Sequence, residues 1–230
     1  MTSHIVSAFS EELEQLSADI LRMGGVAETM IDQACQALVR GDLKLAEETS
    51  EMDDVVDSIE VDVERRITRL LALRNPMATD LRAVIAALKV ASELERVGDL
   101  SKNIAKRVGP LSGADVSSAI KGIERMGTGV KQQLNSVLNS YSEADSDLSL
   151  KVWTGDEDID QHYNSMFREV LTYMMQDPGL IGAGTHLMFI AKNLERIGDH
   201  CTNIAEIVHY QVTGTYLTSS ARPKAPLLEG

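Results

Sequence analysis

Residues 91–105 read ASELERVGDLSKNIA, and residues 191–205 read AKNLERIGDHCTNIA. Both stretches contain a glutamate, an aspartate and an asparagine that follow one another at intervals of four residues. A phrase repeated about a hundred residues later indicates that one structural unit was duplicated. Because residues four apart lie on the same side of an α-helix, each copy places three oxygen-bearing side chains on one helical face.

The composition favours packed helices. The chain has 230 residues, of which 43% are hydrophobic and only 4% aromatic, and its net charge is -13. This acidity argues against nucleic acid as the main partner and agrees with cation binding. Cys35 and Cys201 stand in no CxxC motif, so neither a disulfide framework nor a structural zinc site is expected. With no signal peptide and no apolar stretch of transmembrane length, we expect a cytoplasmic protein without membrane insertion.

Apolar residues recur at helical spacing along most of the chain and predict six long helices. These predicted helices span residues 4–40, 43–74, 77–108, 115–140, 143–175 and 183–211. The second half repeats the plan of the first, since Arg22-Met23-Gly24 recurs as Arg125-Met126-Gly127. We therefore predict an all-α fold of two tandem, pseudo-symmetric three-helix bundles with antiparallel helices. The predicted units are residues 1–110 and 111–212, followed by an irregular C-terminal tail over 213–230.

An antiparallel helical hairpin that turns at Pro76 would bring four carboxylates side by side. In an antiparallel helical hairpin, residues equidistant from the turn lie side by side. Asp57 and Glu95 are each 19 residues from Pro76, and Asp53 and Asp99 are each 23 residues from it. We call the carboxylates of Asp53, Asp57, Glu95 and Asp99 the first acidic layer, and Asn103 lies nearby, one helical turn beyond Asp99.

The second repeat predicts an equivalent arrangement around Pro178. Asp160 lies 18 residues before this proline and Glu195 lies 17 residues after it. Asp156 and Asp199 lie 22 residues before and 21 residues after it. We call the carboxylates of Asp156, Asp160, Glu195 and Asp199 the second acidic layer, and Asn203 lies nearby, one helical turn beyond Asp199.

Four like charges in one partly buried layer require protons or cations. No matched set of lysines or arginines stands beside the acids in the sequence. Arg96 and Arg196 follow the glutamates by one position, so we expect them to point about 100° away. Carboxylate and amide oxygens suit hard divalent cations, and the sequence predicts two or more ions per site or water-filled coordination. The alternative is that these acids are solvated charges on helix faces, with no ion bound.

Glycines lie inside the same helices. Gly98 and Gly198 interrupt the repeated phrase, although a helical glycine costs about 1 kcal/mol relative to alanine. Close helix packing is the usual explanation of such glycines, and room for a cation or water beside the acids is the other. Gly24 and Gly127 pose the same alternatives, and packing is again favoured.

Catalytic motifs are missing from the sequence: there is no P-loop, GxGxxG, GxSxG or HExxH. Glu206 and His209 form one ExxH spacing, but a ferritin-like di-iron enzyme needs this motif on two helices. The first repeat has Lys106 and Gly109 at the matching positions. Two hypotheses that need no family likeness stay open: a di-metal carboxylate enzyme of the ferritin-like class, and a metal-independent structural or chaperone-like helical protein.

The phrases LERVGDLSKNIA and LERIGDHCTNIA, the acids before the turns, and NPMATDLR at 75–82 resemble the PhoU family of phosphate-specific transport system accessory proteins. The resemblance extends over about residues 5–212. One departure is that the second repeat has Gly179-Leu180-Ile181-Gly182 after its proline, so any function of Asp80 and Arg82 belongs to the first repeat alone.

The resemblance implies a cytoplasmic, non-enzymatic regulator that represses the phosphate-starvation response. It implies an adaptor between the ATPase subunit of a phosphate ABC transporter and a sensor histidine kinase. It also implies two three-helix bundles, a homodimer, and divalent or multinuclear metal at the acidic motifs, with iron, zinc, magnesium or manganese as candidates. Carried over by position, the ligands are the members of the two acidic layers, with Asn103 and Asn203 nearby.

Overall fold

The computed structural model describes residues 2–74, 76–114, 116–155 and 157–217. Within these ranges the secondary structure is helical and contains no strand. The α-helices are α1 (Thr2–Arg40), α2 (Leu43–Glu51), α3 (Asp53–Arg74), α4 (Thr79–Ala105), α5 (Ser117–Glu143), α6 (Ser146–Thr154), α7 (Glu157–Gln176) and α8 (Ile181–Thr213). Six of them are long, and the predicted all-α fold is confirmed.

Two of the predicted helices are divided. The prediction of one continuous helix over 43–74 is wrong, because α2 ends at Glu51 and α3 begins at Asp53. At this break, the Met52 carbonyl accepts from Val55 N at 3.0 Å, which is the tighter bonding of a 3₁₀ turn. The prediction of one continuous helix over 143–175 is also wrong, because α6 ends at Thr154, just before Gly155.

The short helices α2 and α6 begin in the same way, which extends the duplication to local structure. Asp42 caps α2 by accepting a hydrogen bond from the Leu45 N–H at 3.0 Å. Asp145 caps α6 by accepting from the Leu148 N–H at 2.9 Å. Such caps satisfy backbone donors that have no partner inside the first helical turn.

The buried apolar residues of both repeats form one continuous core. Helices α4 and α8 pack against each other and run antiparallel. Arg82, near the start of α4, donates from Nε to the Gln211 carbonyl near the end of α8 at 3.4 Å. Arg107, just past the end of α4, lies 3.1 Å from His186 Nδ1 near the start of α8. The turns at Pro76 and Pro178 therefore lie at opposite ends of the molecule. None of the described helices has the length and apolar character needed to cross a membrane.

Close packing explains Gly24 of α1 and Gly127 of α5. A Cβ on Gly24 would lie 2.6 Å from the methyl carbons of Leu138, and one on Gly127 would lie 2.4 Å from the Cys35 Sγ. Both distances are below van der Waals contact, so alanine at either position would force the Leu138 or Cys35 side chain out of its packed position. The packing interpretation of these two glycines is confirmed.

Candidate metal centre

The first acidic layer is assembled from the start of α3 and the middle of α4. Asp53 is the first residue of α3 and is 2% exposed, while Asp57 lies one turn later and is exposed. Gly98 of α4 makes room for this arrangement, since a Cβ there would lie 3.3 Å from Asp53 Oδ1. Packing against α3 is therefore what Gly98 provides, and α4 brings Glu95 and Asp99 to the same region.

The pKa values of these acids show that their charges interact. Although Asp57 is exposed, neighbouring atoms remove part of its hydration, and this raises the pKa of its carboxyl. The charges of Asp53 and Asp99 raise that pKa further. Burial also raises the pKa of Glu95, and the charges of Asp99, Asp57 and Asp53 add to the rise. Part of each shift therefore comes from carboxylates that disfavour one another's ionised form. The fold thus places Asp53, Asp57, Glu95 and Asp99 in one electrostatic neighbourhood.

Glu60 is a further acid of this layer that the sequence reasoning missed. Burial raises the pKa of Glu60, and the neighbouring carboxylates of Glu95, Glu64 and Asp57 raise it further. Its position three residues after Asp57 on α3 was the available signal, because residues three apart share a helical face. Asn103 lies one turn beyond Asp99 and is exposed to solvent.

The sequence shows no matched set of lysines or arginines beside the acids, but two cations stand beside the first acidic layer in the structure. Lys102 Nζ donates a hydrogen bond to Asp53 Oδ2, and this contact raises the pKa of Lys102. Arg96 also turns back: its Nε lies 3.3 Å from Glu95 Oε2 and its Nη1 lies 3.6 Å from Asp99 Oδ2. The Cα–Cβ direction predicted that Arg96 points away, but a long side chain bends back towards charge.

The second acidic layer is described in part. Glu195 forms an ion pair with Lys192 at 2.6 Å, and the two residues are one helical turn apart on α8. Asp160 on α7 and Asp199 on α8 are partly buried. Asp156 lies outside the residues that the structure describes. For this reason the pairing of α7 acids with α8 acids stays a prediction.

Asn203 faces the other repeat. Its Nδ2 donates to Glu93 Oε2 of α4 at 3.0 Å, and His200 Nδ1 lies 2.7 Å from the same oxygen. Burial alone would raise the pKa of Glu93, but these hydrogen bonds lower it below its usual value. The sequence reasoning missed this cluster, because pairing between α4 and α8 depends on how the two repeats pack.

Whether a metal would fit can be judged from the donors. No group of three or more histidine, cysteine, aspartate or glutamate side chains among the described residues is arranged to hold an ion. In the first acidic layer, five carboxylates face the two cations Lys102 and Arg96, so the layer carries an excess of acidic groups. The donor types therefore suit a divalent cation, provided that Arg96 turns away from Glu95 and Asp99.

The di-iron arrangement finds no support at the ExxH spacing. Glu206 Oε1 accepts a hydrogen bond from Trp153 Nε1 at 2.7 Å, which ties this glutamate to α6. This oxygen is therefore occupied by the indole N–H of Trp153, which is buried. Glu206 thus has a structural contact that accounts for its position.

Comparison with known proteins places this architecture in a family. The profile of the PhoU domain matches residues 20–108 and 123–208. A protein of Caulobacter vibrioides named "Phosphate-specific transport system accessory protein PhoU homolog" is 50% identical over 99% of both chains. One of the same name from Rhizobium meliloti is 44% identical over 96% of this chain and 94% of its own.

Two solved structures resemble the fold. The crystal structure of PhoU from Pseudomonas aeruginosa has a TM-score of 0.85 and 36% identity, and the match covers 90% of this chain and 100% of that one. The phosphate transport system regulatory protein PhoU from Streptococcus pneumoniae has a TM-score of 0.85 and 30% identity, over 91% and 99% of the two chains.

Proposed function

The chain belongs to the PhoU family, and on that premise we propose that it is a non-enzymatic regulator of phosphate uptake and of phosphate-starvation signalling. The observation that carries this proposal is the relative named as a phosphate-specific transport system accessory protein, which is 50% identical over 99% of both chains. Both repeats take part in the match, so the proposal concerns the whole two-bundle architecture.

The regulator acts as an adaptor under this proposal. It binds the ATPase subunit of a phosphate ABC transporter and a sensor histidine kinase, works in the cytoplasm as a homodimer, and holds the starvation response off while phosphate is plentiful. The family resemblance supports these partners. A helical surface without a catalytic motif suits a role in which binding, and not chemistry, transmits the signal.

Divalent ions bind the acidic layers under the same proposal. In the first layer, Asp57, Glu95 and Asp99 supply oxygens, and Asp53 stays with Lys102. In the second layer, Asp156, Asp160, Glu195 and Asp199 are the corresponding donors. A bound ion would neutralise the excess negative charge and fix α3 against α4, which is a structural contribution.

Gene deletion tests the regulatory role. Without the protein, a reporter driven by a phosphate-starvation promoter should be expressed in phosphate-rich medium, and a plasmid copy should restore repression. Continued repression in the deletion strain would remove the adaptor proposal. Separate reporters for uptake and for promoter activity distinguish a transporter defect from a signalling defect.

Metal content after chelation and reloading tests the acidic layers. Glu95→Gln with Glu195→Gln should lose bound metal relative to the wild type, as measured by mass spectrometry of the dialysed protein. Glu47→Gln with Glu143→Gln is the matched control, because it removes two exposed glutamates outside the layers. Equal metal content in both double variants would contradict the assignment.

A further inference from the structure

Four arginines line a groove between α1 and α3. The groove has a volume of about 370 Å³. We call it the arginine groove, and its lining residues are Asp19, Arg22, Asp62, Arg65, Arg66 and Arg69. Four guanidinium groups against two carboxylates leave an excess of two positive charges, in a chain whose net charge is -13. Such local charge in an acidic protein attracts anions.

The two aspartates of the groove do not saturate its arginines. Asp19 is 8% exposed and lies 3.1 Å from Arg66 Nη2, while Arg65 pairs with Asp62 at 2.8 Å. Among the described residues, Arg69 has no ion-pair partner, and the solvent-shielded Nε of Arg66 has no hydrogen-bond acceptor. A guanidinium carries five N–H donors, so the groove retains donors for a ligand.

The second repeat builds the same helical hairpin with only two of the four arginines. At an offset of 103 residues, Arg22 and Arg65 correspond to Arg125 and Arg168, but Arg66 and Arg69 correspond to Glu169 and Thr172. Arg66 forms an ion pair with the buried Asp19, whereas Glu169 at the corresponding position accepts hydrogen bonds from Ser118 and Tyr173. Since the helical hairpin forms with either set, packing alone does not require the four arginines of the first repeat.

We propose that the arginine groove binds a small dianionic oxyanion of the phosphoryl class. Guanidinium groups match the geometry of phosphoryl oxygens and bind them through paired, charge-assisted hydrogen bonds. Exposed Arg65 and Arg69 on α3 contact the anion, and Arg66 is held in place by Asp19. Free inorganic phosphate and a phosphomonoester lipid headgroup both have this chemistry. The site is separate from the metal proposal and does not depend on it.

Isothermal titration calorimetry with inorganic phosphate and sedimentation with vesicles test the groove. Vesicles contain either phosphatidic acid or phosphatidylglycerol at the same charge density, because only the first presents a phosphomonoester. The test variant is Arg65→Gln with Arg69→Gln. The matched control is Arg125→Gln with Arg168→Gln, which removes the same charge from the second repeat. Circular dichroism and thermal unfolding check that all three proteins fold alike.

We expect saturable binding of inorganic phosphate, or a preference for phosphatidic acid vesicles, by the wild type and by the control variant. The test variant should bind at least about tenfold more weakly, because two charge-assisted contacts are lost. Phosphate binding identifies the free anion as the ligand, and a preference for phosphatidic acid alone identifies the headgroup. The proposal is overturned by equal binding of the two variants, by equal binding of the two vesicles without phosphate binding, or by no binding at all.

Discussion

Lys102→Met removes the ammonium group that faces Asp53 and leaves that carboxylate buried beside other acids. Asp53 is 2% exposed, and the Lys102 side chain is 27% exposed. Removing one partner of a buried ion pair costs about 3–5 kcal/mol, and the partial exposure of Lys102 reduces the expected loss to about 2–3 kcal/mol. Methionine keeps the unbranched length of the side chain, so the change in packing is small.

Chemical denaturation measures the free energy of unfolding of the metal-free protein at neutral pH. Lys192→Met is the matched control, because Lys192 pairs with Glu195 in the second repeat but is 46% exposed. An exposed pair of this kind contributes at most about 1 kcal/mol, so the two variants should differ. For a domain of this length the Lys102→Met loss corresponds to a fall in melting temperature of about 4–12 °C.

A divalent cation should restore part of the stability that Lys102→Met loses, because the ion supplies the missing positive charge. Adding Asp53→Asn to Lys102→Met should also recover stability, since the buried charge is then gone. Equal losses in Lys102→Met and Lys192→Met, or no recovery in the double variant, would show that the first acidic layer does not depend on this lysine.

Three further predictions concern charge and packing. Hydrogen bonds lower the pKa of the Glu93 carboxyl, so this carboxylate stabilises the fold above its unfolded pKa of about 4.3. The stabilisation disappears as the pH falls through the lower folded pKa. On acidification, the free energy of unfolding of the wild type should therefore fall by about 1–2 kcal/mol more than that of Glu93→Gln. Burial and then neighbouring like charges raise the pKa of Glu95, so its ionised form opposes folding as the pH rises above its unfolded pKa. Glu95→Gln should stabilise the metal-free protein at neutral pH by up to about 1 kcal/mol and abolish stabilisation by added metal, and a destabilised variant would contradict this. Gly24→Ala should destabilise the protein by about 1–2 kcal/mol through overpacking, whereas Gly25→Ala, which meets nothing within 4 Å, should stabilise it by about 1 kcal/mol; melting temperatures shifted in the same direction would refute the packing account.

Much of the fold could be predicted because helix ends carry local signals. Gly41-Asp42 marks the boundary between α1 and α2, and Gly41 has a φ of +63, which glycine adopts readily. The break at Met52 could not be predicted, because no glycine or proline marks it. It reflects how α2 and α3 pack on α4, and that is information from the tertiary structure.

The position of the acids in the candidate site could also be predicted from the sequence, whereas that of the cations could not. Counting residues from Pro76 predicted that Asp57 and Glu95 lie near each other, and their interacting charges agree with this. The cations could not be placed by spacing, because Arg96 bends back along its own helix and Lys102 reaches across to α3. A helical wheel gives the direction of a Cβ atom and does not give the position of a charged group four or five bonds further out.

Crystals grown with Mn²⁺ allow the most direct measurement, an anomalous difference map of the first acidic layer. The account predicts a peak about 2.0–2.3 Å from carboxylate oxygens of Asp57, Glu95 and Asp99, with the Arg96 guanidinium displaced. A map without a peak there, in which Arg96 still pairs with Glu95 and Asp99 at saturating Mn²⁺, would contradict it.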